Sequence, residues 1–203
     1  IRIKQLYVVG PGPDFDTSAA AYALGPDVLM PVLAADGRSA FLVDWRQRTL
    51  SDVDLATGNS RVIARELSEL IRQVVRDPYT DSLIFLSAAG GGLYRFDLAT
   101  LALVGEPLYL PGAEYISAPG DGRLLIVVPG ALEIVSARSD DLQVASVVPT
   151  LEPLYWVWTA PGEPFVYAGR LDPDAVINLH LLDADSLLLT GRLDLPYGMP
   201  LAS

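Results

Sequence analysis

Residues 93–128 read LYRFDLATLALVGEPLYLPGAEYISAPGDGRLLIVV, and this stretch decides the fold of the chain. Its short apolar runs are separated by clusters of Asp, Thr, Gly and Pro, which are the residues that favour turns. The order is strand, turn, strand, loop, strand, turn, strand. Weaker copies of the pattern lie on both sides, so the stretch predicts a repeated unit of short antiparallel strands.

The copies recur with a period near 40 residues. The hairpin before the second strand falls, in chain order, at Gly37, Ser82, Gly122 and Pro164. The turn after the third strand falls at Asp54, Asp97, Ser136 and Asp183. Four strands in a period of this length are typical of a β-propeller blade. A β-sandwich also has evenly spaced strands, but it does not repeat the same turn chemistry every four strands.

We therefore predict an all-β chain, a single β-propeller domain over residues 1–203 built of four-stranded antiparallel blades. The predicted repeats cover residues 28–69, 70–112, 113–153 and 154–195. Residues 1–27 are irregular, with strands expected at 3–9 and 19–24. This gives four to five blades, so the ring is small, is part of a longer chain, or is completed by another chain. If the ring closes alone, residues 3–9 are expected to pair with the last blade.

The second strand of each copy is a nearly continuous apolar run, as at 83–86 and 124–128. Such a run suits a strand that neighbouring blades cover on both faces. Residues 64–75 are ambiguous, because they also carry apolar side chains at helical spacing. We predict a strand there because the repeat requires one, and a short helix between blades is the alternative.

The turn sequences carry a resemblance to known repeats. DLATG at 54–58, DLAT at 97–100 and PGDGR at 119–123 resemble the YVTN-type and quinoprotein-amine-dehydrogenase-like β-propeller repeats, over residues 28–195. The resemblance implies the fold and no particular activity. DLATG also resembles the repeat of quinone-cofactor propellers, but Val62 stands where that repeat has Trp. The WD and GH dipeptides of the WD40 class are absent.

Composition narrows the classes of partner. The net charge of −11 disfavours nucleic acid, because phosphate binding needs a basic surface. The chain has no cysteine, which excludes disulfides, thiolate metal sites and Cys nucleophiles and leaves the compartment open. An extracytoplasmic or secreted location is slightly favoured. No apolar run reaches the roughly 18 residues of a membrane span, so we expect no transmembrane segment.

The sequence assigns no catalytic, cofactor-binding or metal residue. His180 is the only histidine and lies in an apolar strand, where a lone histidine is more often a structural residue than a base or a ligand. No G-x-S-x-G sequence supports a Ser-His-Asp triad built on it. Residues 90–92 are three glycines, and we interpret them as a hairpin loop, because neither a lysine nor a helix follows as in a phosphate-binding loop.

Acidic pairs are the candidates for a cation. The pairs are Asp14/Asp16, Asp172/Asp174 and Asp183/Asp185. None continues into the calcium-loop sequence D-x-D-x-D-G-x5-E, so solvated turn carboxylates are the simpler interpretation. We therefore expect no cofactor, with Ca²⁺ as the alternative.

Aromatic and arginine side chains mark a surface for a protein partner. Trp156 and Trp158 are two residues apart in a predicted strand, so their side chains point to the same side. Packing is the expected role of these rings, and a binding platform is the alternative. In a propeller, the loop between strands two and three lies on the same face as the loop that joins blades. That face is predicted to carry Trp45, Arg46, Arg48, Arg170, Asp172 and Asp174. An aromatic ring flanked by arginines suits protein recognition.

The predicted function is a non-catalytic propeller that acts as an interaction scaffold or an accessory subunit of a larger protein assembly. One alternative is a quinoprotein- or lactonase-like enzyme with a carboxylate-lined channel. A second is a carbohydrate- or peptide-binding propeller that uses Trp156 and Trp158. The sequence leaves the oligomeric state open.

Overall fold

The computed structural model of the protein describes residues 4–7, 21–24, 28, 31–67, 70–159, 164–171 and 176–196. Strands β1 (Lys4–Tyr7) and β2 (Ala21–Leu24) form a two-stranded sheet. The remaining strands form four sheets of four strands each, which we call blades 1 to 4. In the described part of the chain the helical structure is one 3-10 turn, Pro129–Ala131, and no helix has the length and apolarity needed to cross a membrane.

The strands follow one another along the chain. Blade 1 contains β3 (Val32–Leu33), β4 (Ser39–Asp44), β5 (Thr49–Asp54) and β6 (Ser60–Ala64). Blade 2 contains β7 (Ile71–Asp77), β8 (Ser82–Ser87), β9 (Gly92–Asp97) and β10 (Ala102–Tyr109). Blade 3 contains β11 (Tyr115–Ser117), β12 (Arg123–Val128), β13 (Glu133–Arg138) and β14 (Val144–Pro149). Blade 4 contains β15 (Trp156–Thr159), β16 (Phe165–Leu171), β17 (Val176–Asp183) and β18 (Leu189–Pro196).

Each blade is an antiparallel meander in which consecutive strands pair. The first strands of successive blades lie beside one another: β3 contacts β7, β7 contacts β11, and β11 contacts β15. Each blade therefore presents its first strand to a common centre and its fourth strand to the rim, which is the β-propeller arrangement. The predicted fold class is confirmed, and the two facing layers of a sandwich are not formed.

The second strand of blade 3 shows how the blades hold together. On β12, Leu124, Ile126 and Val128 face a core shared with blade 2, whereas Leu125 and Val127 face a core shared with blade 4. Alternate residues of β8 are divided in the same way between blades 1 and 3. The apolar runs in the sequence exist because adjacent blades bury both faces of these strands.

The turn after the third strand has the same backbone geometry in all four blades. It begins at the last residue of that strand, which is Asp54, Asp97, Arg138 or Asp183. Four residues later φ is positive, at Gly58 (73°), Leu101 (53°), Leu142 (58°) and Leu187 (57°). The prediction that Ser136 starts this turn in blade 3 is wrong, because β13 continues for two more residues to Arg138.

The fourth strand of every blade leaves the register of the third strand once. In blade 2 the break lies between Val104 and Leu108, a stretch that contains Gly105 and Pro107. In blade 4 the break lies between Leu181 and Leu182. The outermost edge of each blade is therefore irregular rather than straight.

Other predicted boundaries hold in part. Of the strand predicted over residues 64–75, residues 71–75 lie within β7, whereas 65–67 and 70 are not strand and 68–69 lie outside the described residues. Of residues 3–9, which are expected to pair with the last blade if the ring closes alone, Lys4–Tyr7 pairs instead with Ala21–Leu24, and residues 3, 8 and 9 lie outside the described part of the chain. The turn between β12 and β13 is the 3-10 turn, and Leu132 closes it with a φ of 57°.

Candidate functional site

The turn between β4 and β5 carries the first part of the predicted partner surface. The guanidinium carbon of Arg46 lies 5.6 Å from the centre of the Trp45 ring, which is within the range of a cation–π contact. Arg48 has another role: its Nε donates to the carbonyl of Leu67 at 2.5 Å. This bond ties the turn to the connection between blades 1 and 2.

Trp156 and Trp158 lie on the face of blade 4 that points away from blade 3, because Val157 between them packs into the core shared with blade 3. Trp156 is partly buried and lies against Gly169, where a Cβ atom would overlap the indole ring. Trp158 is 53% exposed, and its ring centre lies 5.4 Å from that of Tyr167. Trp156 is thus a packing residue, and Trp158 is the ring that a partner can reach.

These rings belong to three cross-strand rows that contain no charged residue. The rows are Trp158–Tyr167–Leu181–Gly191, Trp156–Gly169–Leu179–Leu193 and Ile177–Leu195. We call them the outer apolar face. Leu193 and Leu195 are 49% and 40% exposed, whereas the second strands of blades 2 and 3 are buried on both faces.

Arg170 is the next-to-last residue of β16 rather than part of the loop after it, and it lies at the end of the strand where that loop begins. Its terminal nitrogen lies 2.8 Å from Oε2 of Glu152, in the connection between blades 3 and 4. Asp172 and Asp174 lie outside the described residues. The described residues of the predicted surface thus lie on two blades, with Trp45, Arg46 and Arg48 on blade 1 and Trp156, Trp158 and Arg170 on blade 4.

Glu152 is the centre of a charged cluster that the sequence did not predict. Its Oε1 lies 2.8 Å from Nε2 of His180 and 3.4 Å from a terminal nitrogen of Arg192. Its Oε2 pairs with Arg170. Two acceptors at 2.8 Å would repel each other, so Nε2 of His180 carries the proton. That N–H has no aligned acceptor among the described residues, although Oε1 of Glu152 lies 2.8 Å from Nε2.

Strand pairing aligns the rest of the cluster. On β17 and β18, His180 is opposite Arg192 and Asn178 is opposite Asp194. Arg192 donates from Nε to Asp194 at 3.0 Å and from a terminal nitrogen to Oδ1 of Asn178. The hydrogen bond to Asp194 raises the pKa of Arg192 above its ordinary value, so the guanidinium stays charged. Asn178 and His180 are both buried. Burial of His180 is what is expected of a structural histidine.

A cavity of about 360 Å³ opens beside this cluster, between blades 3 and 4. Its polar end is formed by Thr150, Glu152, His180 and Arg192. Most of its wall is apolar and includes Val148, Leu154, Leu182, Leu187, Leu188 and Leu189. At the rim, Leu151 and Leu188 are 93% and 63% exposed.

Of the three candidate acidic pairs, Asp183/Asp185 lies within the described residues, and it serves a turn. Oδ1 of Asp183 accepts from the amides of Asp185 and Ser186 at 3.2 and 2.8 Å and from the Ser186 hydroxyl at 2.7 Å. The bond from the Ser186 amide lowers the pKa of Asp183. Asp14/Asp16 and Asp172/Asp174 lie outside the described residues. The parts of the chain that the structure describes hold no group of three or more potential metal ligands.

Sequence reasoning missed Glu152 and Arg192, because neither lies in a motif. The single usable signal was that His180 is a polar residue in an apolar strand. Its partners lie 28 residues before it and 12 residues after it in the sequence, and only the packing of blade 4 against the connection from blade 3 brings them together.

Comparisons with known proteins agree on the fold. No family model and no curated protein matches the chain. The chain is similar to Kuenenia stuttgartiensis hydrazine synthase with a TM-score of 0.66 and 11% identity, over 84% of this chain and 50% of that one. It is similar to dihydro-heme d1 dehydrogenase NirN in complex with DHE with a TM-score of 0.68 and 14% identity, over 97% of this chain and 44% of that one. Both are β-propeller proteins, and the chain spans half of their length or less.

Proposed function

We propose that this chain is a non-catalytic interaction scaffold, an accessory subunit of a larger assembly, which docks through the outer apolar face of blade 4. The contrast between the blades supports this. In blades 2 and 3 the two adjacent blades bury both faces of the second strand. In blade 4 one face packs on blade 3, while the other leaves Trp158 and Leu193 about half exposed.

The occupant that we propose for this face is a second copy of the chain. The three rows are uncharged, so two such faces in contact would place no like charges directly opposite one another, although each copy carries a net charge of −11. A sheet face with large apolar side chains is also what each blade already offers its neighbours. The chain spans 50% and 44% of the similar propeller chains, so two copies approach the size of one such chain.

Sedimentation equilibrium and native mass spectrometry test the proposal. We expect a species of twice the chain mass of 21.8 kDa. Trp158→Asp should weaken the association at least roughly tenfold, because it places a charge in the buried centre of an interface. Tyr109→Asp is the matched control: Tyr109 is an aromatic residue of similar exposure, 57%, on the rim strand of blade 2.

Two results would overturn the docking proposal. One is a monomer at all concentrations up to roughly 100 µM, which would mean that any association is weaker than that of a specific interface. The other is an assembly that Trp158→Asp and Tyr109→Asp affect equally. A circular dichroism spectrum of each variant distinguishes loss of association from loss of fold.

Two finer assignments belong to the same proposal. We propose that the blades are YVTN-type repeats, which DLATG at 54–58 and PGDGR at 119–123 support. We also propose Trp45 with Arg46 as a second contact point for a protein partner. The cation–π pair there borders a shallow concavity with Leu70, Ile71, Arg72 and Ala88.

A further inference from the structure

We propose that the cavity between blades 3 and 4 binds a medium-chain carboxylate, a ligand with an apolar tail and an anionic head. The site lies on the opposite face of blade 4 from the outer apolar face, so the inference does not depend on the proposed docking. Three observations carry it: the shape and lining of the cavity, the free donors of Arg192, and the unaligned N–H of His180.

The wall of the cavity suits an unbranched apolar tail. The volume of about 360 Å³ lies at the small end of the range for ligand sites, roughly 300–1,000 Å³. Leu154, Leu182 and Leu187 form its buried part and are 2%, 5% and 3% exposed. Leu188 and Leu189 at the mouth are about half exposed or more, so a tail that covers them would remove apolar surface from water.

Arg192 supplies donors for the head. A guanidinium has five N–H groups. Three are engaged: Nε with Asp194, one terminal nitrogen with Glu152, and the other with Asn178. Each terminal nitrogen therefore keeps one further N–H. Each of these two N–H groups can donate a charge-assisted hydrogen bond to a carboxylate oxygen. The side chain of Arg192 is 46% exposed and lines the cavity, so its free edge is within reach of a ligand.

His180 adds a third donor at the same end. Its side chain is 9% exposed, and its Nε2–H has no aligned acceptor. A buried donor without an aligned acceptor is costly, and a ligand oxygen would relieve that cost. The polar end of the cavity thus has more donors than acceptors, which favours an acceptor-rich head.

The charges distinguish a carboxylate from other heads. Arg170, Arg192 and His180 surround Glu152 within 3.4 Å. An ammonium head has no acceptor for the free N–H groups of Arg192 and His180 and would lie beside a guanidinium group of like charge. A hydroxyl head is neutral, so its hydrogen bonds with the free N–H groups of Arg192 are weaker than the charge-assisted bonds of a carboxylate. We therefore expect the order of affinity octanoate, then 1-octanol, then octylammonium.

Isothermal titration calorimetry with these three compounds tests the order on the intact chain. Arg192→Gln should weaken octanoate binding roughly tenfold or more and leave 1-octanol binding within roughly twofold, because charge-assisted bonds to the head are lost while the tail contacts remain. Arg61→Gln is the matched control, since Arg61 lies on the rim strand of blade 1 and pairs with Asp52 at 3.7 Å. It should leave both affinities unchanged.

Leu189→Trp keeps the test decisive if Arg192→Gln does not fold. Leu189 is 49% exposed at the cavity mouth, so a larger ring there should block entry of both octanoate and octanol. Failure to detect octanoate binding, equal affinity for octanoate and octylammonium, or unchanged octanoate binding in Arg192→Gln would each overturn the proposal. Trp158→Asp should bind octanoate as the parent chain does, which separates this result from the docking experiment.

Discussion

Several leucines in this chain have a left-handed backbone conformation, and the free-energy cost of that conformation can be compared with the stabilisation from burying the side chain. The conformation costs an L-residue roughly 1–2 kcal/mol, and Leu101, Leu142 and Leu187 all adopt it. Leu142 and Leu187 are 3% exposed and belong to the cores between blades, so burial of their side chains offsets the cost. Leu101 is 42% exposed, so burial of its side chain offsets much less of the conformational cost.

Leu101→Gly should therefore raise the free energy of unfolding by about 0.5–1 kcal/mol, because glycine adopts a positive φ without steric cost. Blade 1 already has Gly58 at the equivalent position. Leu103→Gly is the control, since Leu103 is 46% exposed on the same strand but is not among the residues with positive φ, and it should lower stability by about 0.5–1 kcal/mol. Urea unfolding followed by circular dichroism measures both. A loss of stability in both variants would show that the left-handed turn carries no such cost.

At the scale of elements, the turn after the third strand is stabilised by a carboxylate in three blades. Oδ1 of Asp97 accepts from the amide and the hydroxyl of Thr100 at 2.6 and 2.7 Å. The pKa of each of these carboxylates is lowered mainly by a hydrogen bond from the backbone amide three residues later. The donors are Thr57 for Asp54, Thr100 for Asp97 and Ser186 for Asp183. Blade 3 lacks this bond pattern, because Arg138 stands at the position.

These turns make stability depend on pH in acid. A carboxylate whose pKa is lower in the folded state stabilises the fold above its ordinary pKa of 3.8, and this contribution is lost as the pH falls through the lower folded value. We expect Asp97→Ala to be less stable than the parent chain at pH 6 and the difference to shrink toward zero below pH 3.8. Asp97→Asn keeps an acceptor that does not titrate, so its stability should change less steeply in the same range. A difference that is constant with pH would contradict the assignment; urea midpoints measured across the range decide it.

The features that recur from blade to blade could be predicted from the sequence, and the features that occur once could not. The period, the doubly buried second strands and the Asp turns at Asp54, Asp97 and Asp183 are local patterns, so they could be predicted. Arg138 could not be predicted as a turn start, because it lacks the side chain that identifies the others. The cluster of Glu152, His180 and Arg192 depends on packing between blades, which no local pattern encodes.

At the scale of the whole molecule, the blades are joined through strands that belong to two cores at once. Leu125 and Ile126 are adjacent on β12 and have no exposed surface, yet one faces blade 4 and the other blade 2. Loss of packing on either side therefore disturbs the blade that supports the other side. This arrangement couples blades 2, 3 and 4 in a single folding unit.

Leu125→Ala and Ile126→Ala should each lower the free energy of unfolding by about 2–5 kcal/mol, the usual effect of truncating a large buried side chain. Val147→Ala, at a rim position that is 49% exposed, should change it by at most about 0.5 kcal/mol. Tryptophan fluorescence reports on Trp45 in blade 1 and on Trp156 and Trp158 in blade 4, and circular dichroism reports on all strands. Coincident urea transitions by the two probes are expected, and separate transitions would show that the blades unfold independently.

The irregular rim strands have a consequence for self-assembly into fibres. A propeller ends radially in strand edges with unused N–H and C=O groups, and straight edges of this kind recruit strands from other molecules into amyloid-like stacks. The register break in every fourth strand, together with Pro107 in blade 2, which has no N–H to donate, interrupts the template. The bends that look like defects in the hydrogen-bonding ladder thus protect a chain rich in β-structure from polymerising through its own edges.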